Sequence, residues 1–278
     1  MSELFALAAA TSYGSADFLG ALATKRRHVL HVLGVGHLVG LLVISAIAII
    51  GGGSPSGADM VWGAAAGAVG LLGLGSLYWS LATGYMGVVA PMTAAIGAAI
   101  PVVAGFLLGE RPAALAVAGV GVAVVAIVLI SSGGAAGWSE KPQQAVQVFA
   151  GSAVAGIGLG MFFVFLQRVD TSAGMWPLVS ARVTSVVIVL VVLAVVRPVF
   201  SGRSTTQSAV AGALDMSANA FVLAAYDGGL LIVVSALASL YPAVTALLAR
   251  LFLKERLRAG QIVGLAFAMV AVALISMA

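Results

Sequence analysis

Residues 106–111 read Phe-Leu-Leu-Gly-Glu-Arg, and residues 251–256, 145 positions later, read Leu-Phe-Leu-Lys-Glu-Arg. In each, an apolar run ends on a Glu-Arg turn. The same offset lays Gly84 on Gly229, Val88-Val89 on Val233-Val234, Leu108 on Leu253 and Gly119 on Gly264. Self-similarity at one long, fixed offset marks a duplicated structural unit. Because Ala, Val and Gly abound in this chain, the polar turn and its flanks carry the match, not the apolar identities. The chain reads as two copies of one unit.

Outward from these turns, the unit is a set of membrane helices. A bilayer core about 30 Å thick needs roughly 20 consecutive apolar residues per helix. Ten such stretches fall near residues 4–22, 29–50, 60–80, 87–108, 113–131, 146–166, 174–196, 208–226, 230–252 and 258–277. Polar or turn-forming segments separate them, among them Lys25-Arg26-Arg27, Gly51-Gly52-Gly53-Ser54-Pro55, Gly109-Glu110-Arg111-Pro112 and Lys254-Glu255-Arg256. Only small turns divide the runs at 82–86 and 227–230, so nine or eleven spans are the alternatives. The runs are long and continuous instead of short and alternating, which excludes a closed barrel. The expected fold is an all-α integral membrane protein of ten transmembrane helices. It comprises a five-helix repeat at 1–131, a connecting loop at 132–145 and a second repeat at 146–278. An odd number of spans per copy makes the second copy enter from the opposite side, so the repeats are inverted about an axis in the membrane plane, an architecture common among transporters.

Of 278 residues, 62% are hydrophobic and only 8% charged, and the mean hydropathy is +1.17. Soluble domains carry about a quarter charged residues, so most of this surface must face lipid. Thirty-five Gly fit helices that approach closely through small residues. The absence of Cys excludes a disulfide scaffold and a thiolate zinc site. A pI near 9.8 would suit nucleic acid in a soluble protein. Here the formal charge is +4, and the basic residues lie scattered between apolar runs as topology signals. The first run lacks a basic start and carries Asp17, so it is expected to be a retained helix and not a cleaved signal peptide. With ten spans, Lys25, Arg26, Arg27, Lys141, Arg197, Arg203, Lys254, Arg256 and Arg258 share one face, against Arg111 and Arg168 on the other. The positive-inside rule makes the first face cytoplasmic and puts both termini outside.

Leu240-Tyr241-Pro242-Ala243-Val244-Thr245-Ala246-Leu247-Leu248, followed by Phe252-Leu253-Lys254-Glu255-Arg256-Leu257 and Gln261-Ile262-Val263-Gly264, resembles the repeat signature of the EamA family of the drug/metabolite transporter superfamily. Pro101 and Phe106-Leu107-Leu108-Gly109-Glu110-Arg111 are similar in the first half, and Tyr13-Gly14-Ser15 with Phe18 resembles the family's first helix. The resemblance covers essentially the whole chain and implies a ten-helix transporter of small metabolites with cytoplasmic termini. Two departures stand out: the offset pairs Pro242 with Gly97 instead of Pro101, and an acid, Asp17, sits within the first-helix motif.

Charged groups at mid-bilayer are costly, about 3 kcal/mol on insertion scales, and those retained face a cavity or a partner. The candidates are Asp17 in the first span, His37 in the second, Arg182 in the seventh, and Asp215 with Asn219, one helical turn apart, in the eighth. The offset maps His37 onto Arg182. Asp17 is a candidate proton or cation binder or substrate-amine partner, or a structural hydrogen-bonding group. Arg182 either holds a substrate carboxylate or neutralises Asp17 or Asp215. Tyr13 and Tyr78 are the aromatic candidates for the cavity, with Trp79 and Trp176 also considered; Trp62, Trp138 and Trp176 fit interfacial anchors. Pro91, Pro101, Pro177 and Pro242 bend or break helices. His28 extends the basic cluster, and no metal site is read from His28, His31 and His37. Glu110-Arg111 and Glu255-Arg256 are read as structural.

The functional expectation is a secondary active transporter in the cell membrane, an exporter of small organic metabolites such as amino-acid-like solutes or drugs. It would work by alternating access, with protons a candidate coupling ion. No phosphate-binding Gly-x-x-x-x-Gly-Lys-Ser/Thr occurs, nor Gly-x-Ser-x-Gly, nor His-Glu-x-x-His. Expected partners are the small-molecule substrate and the lipid bilayer, with no nucleic acid and no cofactor, in a monomer or weak homodimer. The alternatives from other classes are an intramembrane enzyme acting on lipid or peptide and a non-transporting receptor.

Overall fold

The computed structural model describes residues 1–83, 86–132, 142–196, 205–253 and 259–277. These residues form α1 (Ser2–Thr24), α2 (Val29–Gly51), α3 (Gly57–Thr83), α4 (Met86–Leu107), α5 (Ala114–Ser132), α6 (Pro142–Leu166), a 3-10 turn at Thr171–Ala173, α7 (Trp176–Val196), α8 (Thr205–Tyr226), α9 (Leu231–Ala238), α10 (Tyr241–Leu253) and α11 (Ala259–Ser276), with no strand among them. Gly84, Trp138, Lys141, Arg197, Arg203, Lys254, Glu255, Arg256 and Arg258 lie outside the described residues.

Local chemistry sets several boundaries. His28 caps α2, its Nδ1 accepting from the Leu30 amide at 3.3 Å. Ser56 and Asp59 form a reciprocal capping box before α3. Asp59 Oδ2 accepts from the Ser56 amide at 2.8 Å, and the Ser56 hydroxyl accepts from the Asp59 amide at 3.2 Å. The run at 230–252 is not one helix. Pro242 has no N–H to offer the Ala238 carbonyl, so the ladder fails there and α9 ends at Ala238. Gly97, its counterpart by the offset, lies within a continuous α4, and Pro91 and Pro101, expected to bend or break it, do not end that helix.

Among the described residues, five helices are long and apolar enough to cross a membrane: Val29–Gly51, Gly57–Leu81, Val146–Leu166, Trp176–Val196 and Thr205–Tyr226. Shorter apolar helices follow at Ile96–Leu107, Ala114–Leu129, Leu231–Thr245 and Ile262–Ala271. α1 is not among the five, since Thr11, Ser12, Ser15 and Asp17 lower its hydropathy. Exposed Leu42, Leu72, Val191, Phe252 and Met269 give the bundle the apolar exterior that lipid requires.

Side-chain contacts fix the helix directions. Phe5 stacks on Phe221 while Tyr13 bonds Asn219, so α1 and α8 run antiparallel. Gly70 abuts Phe162 and Gly73 abuts Leu159, so α3 and α6 are antiparallel as well. Gly63 meets Pro177 and Gly67 meets Ala181, making α3 and α7 parallel; Gly36 meets Ser208 and Gly40 meets Met216, making α2 and α8 parallel. Gly34 faces Leu193 while His37 bonds Arg182, so α2 and α7 oppose. Thus α1, α3 and α7 point one way and α2, α6 and α8 the other, so the counterparts α1 and α6, α2 and α7, and α3 and α8 are inverted. The packing obeys the same exchange: α1 against α8 repeats as α6 against α3, α2 against α8 as α7 against α3, while α2 against α7 and α5 against α11 pair with themselves.

The closest approaches need glycine. A Cβ on Gly212 would overlap the Gly36 carbonyl oxygen, and one on Gly67 the Ala181 carbonyl oxygen. These are one contact repeated, since Gly36 and Ala181, and Gly67 and Gly212, each stand 145 apart. At the end of the bundle where α2, α4, α6 and α8 terminate, loops of the two halves are tied together. The Ser54 amide donates to the Ser172 carbonyl at 2.8 Å, and the Asp170 amide to Asp59 Oδ1 at 2.9 Å. Glu110, after α4, accepts from the first two amides of α9, Leu231 at 2.8 Å and Ile232 at 3.1 Å.

Candidate functional site

A cavity of about 70 Å³ lies between α1, α2, α3, α6, α7, α8 and the start of α10. Tyr13, Asp17, His37, Arg182, Asp215 and Asn219 all line it. Six of the seven candidate residues therefore meet in one chamber. The seventh, Tyr78, is buried in an adjoining pocket behind His37, packed on Gly20. Trp79 and Trp176 do not line the chamber. Trp62 sits against Phe165 with Arg168 over its ring, 6.0 Å from the centroid.

The dyad pair α2/α7 places His37 and Arg182 face to face at the same depth, with Arg182 donating to His37 Nδ1 at 3.0 Å. A guanidinium has donors only, so the ring nitrogen facing it accepts. Arg182 Nε reaches the Met216 sulfur at 2.9 Å, and its remaining nitrogen forms an ion pair with Asp215. Asp215 is one turn below Asn219, whose amide nitrogen donates to the Asp215 carbonyl at 2.7 Å. Tyr13 completes the line, its hydroxyl donating to Asn219 Oδ1 at 2.7 Å. One network thus runs Tyr13, Asn219, Asp215, Arg182, His37 across α1, α8, α7 and α2. Of the partners open to Arg182, it takes Asp215. Side-chain exposures of 7% and 14% make the pair a desolvated one, which survives only with the extra hydrogen bonds seen here.

Asp17 stands apart. It lines the same chamber, yet among the described residues none donates a hydrogen bond to its carboxylate. The chamber holds one internally compensated ion pair and one acid without a protein partner.

The rest of the wall is apolar and aromatic. Gly70, Leu71 and Leu74 come from α3, Leu159, Phe162 and Phe163 from α6. The Tyr13 ring sits 6.3 Å from both Phe163 and Tyr241, and Phe162 and Phe163 are 5.8 Å apart. Sequence reading did not single out Ser185, Met216, Tyr241, Phe162 or Phe163 for the site. Ser185 was legible, one turn after Arg182 on the same face of α7. Its hydroxyl bonds the Gly67 carbonyl at 3.0 Å, pinning α7 to α3. Among the described residues no three His, Asp or Glu side chains converge as metal ligands.

A family model for EamA-like transporters matches residues 1–132 and again residues 148–277. Among 28 matching chains of solved structures, one, described only as a protein crystal structure, aligns with a TM-score of 0.77 at 16% identity. It covers 99% of this chain and 96% of its own. At that identity the likeness shows the fold alone. Curated proteins yield no match.

Proposed function

Since the chain belongs to the EamA-like transporter family, and is thus a multi-pass membrane protein of transporter type, we propose that it is a secondary active transporter exporting small organic solutes by alternating access, with Asp17 carrying the coupling proton. The observation that carries this reading is the buried chamber shared by both halves, which holds a carboxylate left over from the internal network. A carboxylate that exchanges partners as a cavity opens to either side is what coupling to a gradient requires. Taking α9 and α10 as one crossing broken at Pro242, the helices make ten crossings of the cell membrane in two inverted repeats, 1–131 and 146–278. At about 70 Å³ the chamber accommodates a few waters and not a metabolite, so solute entry needs the halves to rock apart. The loop ties at Glu110, Ser54 and Asp59 close one end, and opening that end breaks them.

The test is flux in liposomes reconstituted with the whole protein under an imposed pH gradient. Efflux of unmodified labelled organic amines and amino acids, accompanied by proton movement and lost in Asp17→Asn, is expected. Chemical conversion of the solute, or undiminished gradient-driven flux in a folded Asp17→Asn variant, contradicts the proposal.

A further inference from the structure

We propose, resting on the transport reading above, that the solutes are amphiphilic organic cations, with an ammonium group held by Asp17 and an apolar body laid against α3 and α6. The charges already paired within the chamber decide the sign of the solute. Every nitrogen of Arg182 already contacts the network, at Asp215, His37 and Met216, and its charge is balanced by Asp215, so an incoming carboxylate meets a neutralised guanidinium and must compete with a desolvated pair. An anionic solute would also face two carboxylates, Asp17 and Asp215. A neutral solute can donate a hydrogen bond to Asp17 but brings no counter-charge. Only a cation supplies what the chamber lacks.

The shape of the chamber agrees with its charge. By the 145 offset, Asp17 corresponds to Phe162, Asp215 to Gly70 and Asn219 to Leu74, and both members of every pair line the chamber. The duplication therefore gives one polar wall, on α1 and α8, and one apolar wall, on α6 and α3. Tyr13, Phe162, Phe163 and Tyr241 form a continuous aromatic surface beside Asp17. Ring faces attract cations, and most strongly where water is excluded. A carboxylate beside several rings, opposite a hydrocarbon wall, matches an ammonium ion on an apolar body.

A carboxylate that holds a cation must be ionised, so proton and solute compete for Asp17, and acid weakens binding. The titratable and charged groups facing Asp17 are Tyr13 on its own helix, Asp215 on α8, Tyr241 on α10, Tyr78 on α3, and Arg182 and His37 on α7 and α2. Arg182, Asp215 and His37 are bound to one another, which leaves Asp17 as the group that the cation addresses.

The experiment measures equilibrium binding of benzylammonium, benzyl alcohol and benzoate to the whole protein in nanodiscs of neutral lipid. The three share one body and differ in charge. Benzylammonium alone is expected to bind, less tightly as pH falls. Asp17→Asn should weaken it by about tenfold to a hundredfold, the worth of a charge-assisted contact, while Asp17→Glu retains it. Benzoate binding as tightly as benzylammonium, no benzylammonium binding, or unchanged binding in an Asp17→Asn protein that melts normally overturns the inference. Gradient-driven flux of an anionic or neutral solute keeps the transport reading and sinks the cation; benzylammonium binding without any flux does the reverse.

Discussion

Asp215→Asn should destabilise the folded protein by about 3 kcal/mol, because it leaves a buried guanidinium without its counter-charge. Arg182 is 7% exposed at the side chain and Asp215 14%, so water cannot replace the lost partner. The asparagine keeps a carbonyl oxygen for Arg182, which places the loss at the lower end of the range for breaking a buried pair. Arg182→Gln should cost about 3–5 kcal/mol. It leaves Asp215 with only Asn219, at 3.3 Å from Oδ2, and takes the donor from His37. The double variant, Arg182→Gln with Asp215→Asn, removes both charges and leaves two neutral side chains to bond one another, so it should recover most of either loss. The measurement is unfolding free energy in detergent for the four proteins of the cycle, with Asp17→Asn alongside. Asp17 compensates no protein charge, so its substitution should shift stability by about 1 kcal/mol or less. A coupling energy between Arg182 and Asp215 below about 0.5 kcal/mol, or a loss at Asp17→Asn as large as at Asp215→Asn, refutes the division of the chamber into a compensated pair and an uncompensated acid.

Gly67→Ala and Gly212→Ala should each cost about 1–3 kcal/mol, and by similar amounts, since each Cβ meets a backbone carbonyl oxygen, of Ala181 on α7 and of Gly36 on α2, in two contacts that the offset relates. Gly121→Ala, where a Cβ meets nothing within 4 Å, should stay within about 0.5 kcal/mol in the same melts. Glu110→Gln should speed hydrogen exchange at the Leu231 and Ile232 amides and cost about 1 kcal/mol, because a charged acceptor at the start of α9 is replaced by a neutral one. The hydroxyl and amide of Ser172 hold the Asp170 carboxyl below its usual range. A carboxyl whose value is depressed on folding stabilises above its unfolded value, near 4, and loses that contribution as pH falls through the folded one. Protection of the Ser172 amide should therefore fall away in acid below about pH 4, and this step should vanish in Asp170→Asn.

The fold was legible because duplication is a long-range signal that needs no structural knowledge to detect. The offset that aligns Glu110 with Glu255 also aligns Gly36 with Ala181 and Gly67 with Gly212, and those residues are where the helices touch. The break between α9 and α10 was harder to read. Hydropathy runs unbroken through Ser239 and Leu240, and only the missing N–H of Pro242 interrupts the ladder. Rarity made the site candidates visible, since a polar group inside an apolar run is costly and retained for a reason. Their pairing was not visible. Whether Arg182 takes Asp17 or Asp215 depends on whether α1 or α8 presents its acid to α7 at the right height, which the one-dimensional pattern does not encode. Met216 and the aromatic wall escaped notice because Met and Phe in a membrane helix look like any lipid-facing residue.

Conserved and broken correspondences between the halves divide the work. Where the offset pairs like with like, as in Gly67 with Gly212, the contact recurs on both sides of the dyad, so the rocking proposed above would tighten one copy as it loosens the other. Where it pairs unlike residues, as in Asp17 with Phe162 and Asn219 with Leu74, the two walls of the chamber differ, one polar and one apolar. His37 and Arg182 stand between these cases: corresponding positions, both nitrogen-bearing, bound to each other across the axis. A cation on both would repel, so one copy had to carry a group able to accept a hydrogen bond, and Asp215 then balances the other. That compensation leaves Asp17 without a charged partner among the described residues. His37→Arg should therefore draw Asp17 into the network, so that Asp17→Asn costs more in unfolding free energy in the His37→Arg background than in the native one.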